Sequence, residues 1–141
     1  MPPTLSPEIQ AFATGFPLTL LHAGVTMLIL FLGAAVYVLL TPHKEITLIR
    51  EGNTAAAVSL SGVLVGLAIP LAVSLKASTT LIELALWGAA TMVVQMLIFR
   101  LVDLVLRGLP RRIQDGEMAA AAMLVGAKLA TALILAAAFS G

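Results

Sequence analysis

The sequence contains no cysteine among its 141 residues, and it contains only one tryptophan and one tyrosine. The lack of cysteine excludes a disulfide framework, a thiolate nucleophile and cysteine metal sites. Charge is also scarce, because only 11% of the residues are charged and the net charge is +1. This composition excludes a disordered chain, which needs high charge and low hydrophobicity. It also argues against a nucleic-acid partner, which requires a dense basic surface.

Apolar side chains dominate the sequence, with 60% hydrophobic residues and a mean hydropathy of +1.08. A single domain of this length cannot bury so much apolar surface in water, so a soluble globular domain is excluded. Four long apolar runs cover residues 16–40, 54–75, 79–106 and 118–140. Each is long enough for a transmembrane helix, which needs about 20 apolar residues. The sequence therefore predicts an all-α polytopic membrane protein, a single membrane domain over residues 1–141 with four transmembrane helices.

Lysine and arginine are concentrated in two of the links between the predicted spans. The links at 41–53 and 107–117 hold five basic residues, whereas the middle link holds Lys76 alone. Because short basic links stay in the cytoplasm, we expect these two links to face the cytoplasm and both termini to lie outside, in the periplasm. A signal peptide requires basic residues before its apolar segment, and none precedes the first span. We therefore expect this span to be retained in the protein.

The chain matches itself when it is shifted by 64 positions. The shift places Glu51 and Gly52 on Asp115 and Gly116, and an alanine run follows each pair. We therefore predict that the four helices form two parallel-repeat hairpins, at about residues 16–75 and 80–139, related by an axis along the membrane normal. Each acidic-glycine pair, with Asn53 in the first copy, is expected to cap the start of the following helix, because its oxygens accept from free N–H groups there.

Small residues also recur at helical spacing in the second and fourth spans. Gly62 and Gly66 lie four positions apart, and the repeat places Gly126 and Ala130 at equivalent positions. Small residues let helices approach closely in lipid, where no hydrophobic force drives their association. We expect the second and fourth spans to pack through these two faces.

Three stretches resemble the YjfL-like family of small bacterial inner-membrane proteins, also called domain of unknown function 350. They are LTPHKEITLIREGNTAAAVSLSGVLVGLAIPLA, LWGAATMVVQ and RRIQDGEMAAAA. The resemblance covers nearly the whole chain from the first span onward, and its most specific residues are Glu51-Gly52-Asn53, Pro70, Trp87 and Gln95. It implies four spans in a bacterial inner membrane, and it implies no activity.

Four polar side chains inside the predicted spans form a candidate polar path: His22, Glu83, Gln95 and Lys128. An ionisable group in the membrane needs a partner or water. His22 either titrates or contacts a ligand, or it is a neutral ring bonded to a neighbouring helix. Glu83 either meets His22 at the same depth or is solvated at the outer interface. Lys128 lies near the middle of its span, level with Gln95. It either lines a polar cavity between helices or subunits, or it is neutral or snorkels beside a single amide partner.

Arg100, Asp103 and Arg107 share one face at the cytoplasmic end of the third span. Their spacing of three and four residues lets Asp103 pair with both arginines. We expect these three residues to form an interfacial anchor that also sets the topology.

The sequence has neither the clustered histidines and acids of a metal site nor a nucleophile motif. We therefore expect no catalytic residue, no metal, no cofactor and no enzyme activity. The favoured interpretation is a non-enzymatic accessory or structural subunit in the lipid bilayer, which forms a homo-oligomer or binds a membrane-protein partner. The alternative is an oligomeric channel or transporter element, which gains support if the candidate polar path converges on water-filled space.

Overall fold

The computed structural model describes residues 4–41 and 44–140, and all regular secondary structure in those ranges is helical. The helices there are α1 (Pro7–Leu40), α2 (Glu45–Arg50), α3 (Thr54–Ala77), α4 (Leu81–Val105), α5 (Gly108–Gln114) and α6 (Met118–Ser140). The four long helices, α1, α3, α4 and α6, are long and apolar enough to cross a membrane. The predicted all-α fold with four membrane-spanning helices is therefore confirmed.

The first helix begins at Pro7, well before its predicted start at residue 16. Ser6 caps this helix, because its hydroxyl oxygen accepts a hydrogen bond from the N–H of Ile9 at 3.4 Å. Pro7 fits the first turn, where a backbone N–H is not needed. Pro17 lies inside α1 and does not mark its start, since a membrane helix tolerates an internal proline.

Each basic link contains a short helix, α2 or α5, that the sequence did not predict. Both helices are followed by a glycine in the left-handed region, with φ of 88° at Gly52 and 84° at Gly116. The N–H of Gly52 donates to the carbonyl of Ile49 at 3.0 Å, and that of Gly116 donates to the carbonyl of Ile113 at 2.9 Å. This pattern ends a helix at a glycine that has no Cβ atom to clash. The two glycines therefore terminate the short helices.

The expected capping role of the acidic residues beside these glycines is wrong. Glu51 and Asp115 occupy the C-terminal cap positions of α2 and α5. Because the left-handed glycine redirects the chain after each acid, the acid belongs to the helix that it ends. The start of α3 is capped by Asn53, whose side-chain oxygen accepts a hydrogen bond from the N–H of Ala56 at 3.0 Å.

Helix α3 is the central helix of the bundle. It packs against α1, α4 and α6, and its contact with α6 is the most extensive in the described part of the chain. Two buried apolar clusters surround it. The first joins α1, α3 and α4 through Ala34, Tyr37, Val63, Leu67, Leu71, Met92 and Phe99, and the second joins α3, α5 and α6 through Ala55, Ala56, Ile113, Ala120, Ala121 and Leu124.

The two predicted small residues of α3, Gly62 and Gly66, are at close contacts, but the predicted pair of α6, Gly126 and Ala130, is not. A Cβ atom built on Gly62 would lie 2.5 Å from Cγ2 of Val125 in α6, and one on Gly66 would lie 2.5 Å from Cζ of Phe99 in α4. A Cβ atom on Gly126 would have nothing within 4 Å, and Ala130 is exposed. The pairing of α3 with α6 agrees with the prediction, whereas the predicted contact face of α6 is wrong.

The charge of Lys128 explains the orientation of α6. A lysine deep in a membrane helix is costly if it faces lipid, so the helix turns Lys128 toward the other helices. Gly126 lies two residues away, on nearly the opposite side of the helix. The buried face of α6 therefore carries Ala121, Leu124, Lys128 and Ala132, and the small residues of its other face point outward.

The two halves of the chain contain the same order of elements, a long helix, a short helix and a long helix. The left-handed glycines that follow α2 and α5 lie at matching positions in the two halves. A parallel repeat requires this order. The axis that relates the halves stays a prediction.

Candidate functional site

The charged and polar groups of four helices meet at the end of the bundle that carries α2 and α5. We define the Lys128 cluster as Tyr37 of α1, Glu45 of α2, Asp103 of α4 and Lys128 of α6. All four line one cavity. The cluster is the candidate functional site, because charges inside a membrane bundle are expensive and usually have a role.

An ion pair forms the centre of the Lys128 cluster. Nζ of Lys128 lies 2.9 Å from Oδ1 of Asp103, and the two side chains are 2% and 12% exposed. The hydroxyl of Tyr37 donates a hydrogen bond to Oδ2 of Asp103 at 2.9 Å. Lys128 in turn donates a hydrogen bond to the Tyr37 oxygen. Both carboxylate oxygens of Asp103 are therefore engaged by groups from other helices.

Aromatic rings cover the ammonium group on its apolar side. Nζ of Lys128 lies 5.5 Å from the ring centroid of Phe99, a distance at which the face of a ring attracts a cation. The Tyr37 ring packs edge-on against Phe99, with 6.3 Å between the ring centroids. The same residues therefore bury the charge and join α1, α4 and α6.

Helical spacing explains why these side chains point inward. Asp103 lies four residues after Phe99, which lies four residues after Gln95, and both of those residues are fully buried. Positions four apart share one helix face, so Asp103 continues the buried face of α4. Once Lys128 is buried, removing its partner would leave an uncompensated charge, which is strongly destabilising.

The cavity in the Lys128 cluster has a volume of about 10 Å³. That is close to the smallest space that holds one water molecule. Thr41 and Ser59 line it together with the cluster residues. Polar and apolar side chains line the cavity together, and it is far too small for a hydrated ion or an organic solute.

Glu45 is the acid of the Lys128 cluster that has no counter-ion among the described residues. It is 4% exposed, and its Oε2 atom has no hydrogen-bond partner among the described residues. Burial raises the pKa of Glu45 to about 7; the nearby charge of Lys128 lowers it, and that of Asp103 raises it further. Glu45 therefore changes its charge close to neutral pH.

His22 and Glu83 lie outside the Lys128 cluster and make local contacts. Nδ1 of His22 lies 2.8 Å from the carbonyl oxygen of Leu18 in the same helix. The carboxylate of Glu83 accepts hydrogen bonds from the backbone N–H and the hydroxyl of Thr79, at 2.9 Å and 3.0 Å. In the part of the chain that the structure describes, no hydrogen bond or ion pair joins His22 to Glu83.

Gln95 is also apart from the Lys128 cluster. It is fully buried on α4, and neither its oxygen nor its nitrogen has a hydrogen-bond partner within residues 4–41 and 44–140. It does not line the cavity beside Lys128. The structure thus places the four residues of the candidate polar path in separate surroundings.

The predicted pairing of Asp103 with Arg100 and Arg107 is wrong. Asp103 turns inward to Lys128, while Arg100 is exposed. Helix α4 ends at Val105, so Arg107 lies beyond it and lacks the helical spacing that the prediction assumed. Nε of Arg107 donates a hydrogen bond to the carbonyl of Leu104 at 3.3 Å. The buried ammonium attracts Asp103 more strongly than exposed arginines, whose attraction water weakens.

Sequence reasoning missed Tyr37 and Glu45 as site residues. A buried lysine requires an acid within reach, and this requirement was the available signal for Asp103 and Glu45. The single tyrosine of the chain lies inside the first apolar run, where its hydroxyl needs a hydrogen-bond partner, and this was the available signal for Tyr37. Among the described residues, no group of three or more His, Cys, Asp or Glu is arranged to hold a metal ion.

The chain matches the model of a protein family over residues 11–139, and that family is described as Domain of Unknown Function (DUF350). It is similar to the UPF0719 inner membrane protein YjfL of Escherichia coli strain K12. The two are 36% identical over 107 residues, which cover 76% of this chain and 80% of that protein. The protein of the same description from Escherichia coli O157:H7 matches with the same values. No solved structure matches the chain.

Proposed function

This chain belongs to the family described as Domain of Unknown Function (DUF350), and we propose that it is a non-enzymatic accessory or structural subunit of the bacterial inner membrane. The family and the four apolar helices identify a multi-pass inner membrane protein. As part of this role, it assembles with further copies of itself or with another membrane protein.

The observation that carries this proposal is the separation of the polar groups inside the bundle. A channel or transporter needs polar groups that line one continuous path. His22 and Glu83 form hydrogen bonds within their own chain segments, and Lys128 is paired with Asp103. Gln95 is buried without a hydrogen-bond partner in the part of the chain that the structure describes. The charged groups are thus arranged to hold helices together, and this arrangement favours a structural role over conduction.

Two measurements on the full chain test this proposal. Native mass spectrometry from mild detergent should give a mass above that of one chain, from either self-association or a co-purified membrane protein. Proteoliposomes containing the chain should show no more Na⁺, K⁺ or H⁺ flux than protein-free liposomes. Flux that falls when Lys128→Met is introduced would contradict the accessory role and support the channel alternative.

We also propose that the termini face the periplasm. The two basic links lie at one end of the bundle, since the side-chain nitrogen of Asn53 donates to the carbonyls of Ile113 and Gln114 at 3.0 Å and 3.1 Å. Two basic links at one end support a cytoplasmic location for that end. Ser140→Cys gives the chain its only thiol, which should react with an impermeant reagent in intact cells. Under the same conditions Glu51→Cys should react only after lysis, and the reverse pattern would overturn this orientation.

The parallel repeat is part of the same proposal. The shared order of helices and the matching left-handed glycines at positions 52 and 116 support it. In an experimental structure, residues 16–75 should superpose on residues 80–139 by rotation about the membrane normal. A relation through an axis in the membrane plane would contradict it.

A further inference from the structure

The charges of the Lys128 cluster do not balance when every group is ionised. Two carboxylates, Glu45 and Asp103, are arranged around the single ammonium of Lys128. Asp103 forms the ion pair with Lys128 and accepts the hydrogen bond from Tyr37. Lys128 also donates a hydrogen bond to the Tyr37 oxygen. Glu45 is left without an ion pair among the described residues. A buried carboxylate without a counter-ion tends to neutralise by taking up a proton.

The position of Glu45 also provides a route for that proton. Its Oε2 atom is buried and has no hydrogen-bond partner in the described part of the chain, and the residue lines the small cavity of the Lys128 cluster. The cavity has space for about one water molecule, and Thr41 and Ser59 line it as well. Glu45 begins α2, outside the four membrane-spanning helices. A proton therefore does not have to cross a membrane-spanning helix to reach Glu45.

We propose that Glu45 and its cavity form a proton-binding site that fastens α2 to the helix bundle. This role goes beyond the accessory function proposed above and does not depend on it. Solvent supplies the proton, which adds to a Glu45 carboxylate oxygen and takes the group from −1 to neutral. The neutral acid stays buried beside the ion pair. Loss of the proton leaves a buried negative charge, and the bundle relieves it by releasing α2 into water.

The ionisable groups around Glu45 belong to several helices. They are Tyr37 on α1, Asp103 on α4 and Lys128 on α6. Helices α3 and α5 contribute to the cavity wall the uncharged polar residues Ser59 and Gln114. Asp103 favours the proton on Glu45 and Lys128 opposes it, while burial favours it most. The pKa of about 7 agrees with a proton that exchanges near neutral pH.

The test is thermal unfolding of the full chain in mild detergent, measured between pH 4 and pH 9. The pKa of Glu45 rises on folding from 4.5 to about 7, so the folded state holds an extra proton between these values. The stabilisation is full below about pH 4.5 and is lost as the pH rises to about 7. Glu45 alone should lower the ratio of folded to unfolded protein about tenfold for each pH unit in that window, and then no further.

Three variants separate Glu45 from other titrating groups. Glu45→Gln keeps the shape without the charge, so it should remove this part of the pH dependence and be more stable than the unmodified chain at pH 8. Glu51→Gln changes an exposed acid in the same link and should leave the profile unchanged. His43→Gln removes a histidine two positions before Glu45 in the sequence, and it too should leave the profile unchanged.

A second measurement does not depend on a variant that folds. Infrared difference spectroscopy of the unmodified chain should show a protonated carboxylic acid band that disappears as the pH rises through about 7. Amide hydrogen exchange in α2 should speed up over the same range. The proposal is overturned if no such band titrates near neutral pH, if Glu45→Gln retains the wild-type profile, or if His43→Gln abolishes it. Stabilisation at pH 8 by Na⁺ or K⁺ but not by choline would also overturn it, because the ligand would then be a metal cation.

Discussion

Replacing Gly66 with alanine measures how closely α3 approaches α4. A Cβ atom at this position would lie 2.5 Å from Cζ and 3.3 Å from Cε2 of Phe99. Carbon atoms in contact prefer about 3.5–4.0 Å, so the ring has to move. Phe99 is fully buried and packs edge-on against Tyr37. The displacement would therefore reach the Lys128 cluster, and alanine is not a mild substitution here.

Overpacking of this kind costs about 1–3 kcal/mol, and in lipid no hydrophobic gain offsets it. We expect Gly66→Ala to lose about that much free energy of unfolding, measured by SDS titration in mixed micelles. Gly126→Ala is the matched control, because a Cβ atom there meets nothing within 4 Å. It should be as stable as the unmodified chain or slightly more stable, since alanine favours helix over glycine. Equal stability of the two variants would refute the close approach of α3 to α4.

Two further substitutions test other contacts by the same titration. Asn53→Ala removes the cap of α3 and the two hydrogen bonds to the carbonyls of Ile113 and Gln114. It should lower the free energy of unfolding by about 1–2 kcal/mol. Ser6→Ala, at the exposed start of α1, is the control and should lower it less. Equal losses would show that Asn53 does not join the two links. Tyr37→Phe removes the hydroxyl between Asp103 and Lys128 and should cost about 1–3 kcal/mol. An unchanged stability would mean that the hydroxyl does not stabilise the ion pair.

The spans were predictable because their length and hydrophobicity are fixed by the thickness of the bilayer. Residues 54–75 and 118–140 closely match α3 and α6. The start of α1 could not be predicted in this way, because Ser6 and Pro7 start the helix before the apolar run begins. The short helices α2 and α5 were missed because their glycines were assigned to the start of the next helix.

The rotation of each helix about its axis was the main failure of the sequence reasoning. Spacing shows which residues share a face, but it does not show which face meets a neighbour. Gly126 and Lys128 lie on opposing faces of α6, and packing of small residues competes with burial of the charge. The charge is the larger effect, so Gly126 points outward. The same effect explains why Asp103 pairs with the buried Lys128 and not with the exposed Arg100.

The coupling energy between Lys128 and Asp103 tests most directly the central claim that the buried charges hold the helices together. The measurement is a double-mutant cycle of Lys128→Met and Asp103→Asn, by SDS titration in mixed micelles, with exposed Lys76→Met as the control for loss of a lysine. Lys128→Met alone should cost about 3–5 kcal/mol, because it leaves Asp103 without its counter-ion, and Lys76→Met should cost little. The double variant should lose at least about 1 kcal/mol less than the sum of the single losses. Losses that add to within about 0.5 kcal/mol would contradict the claim.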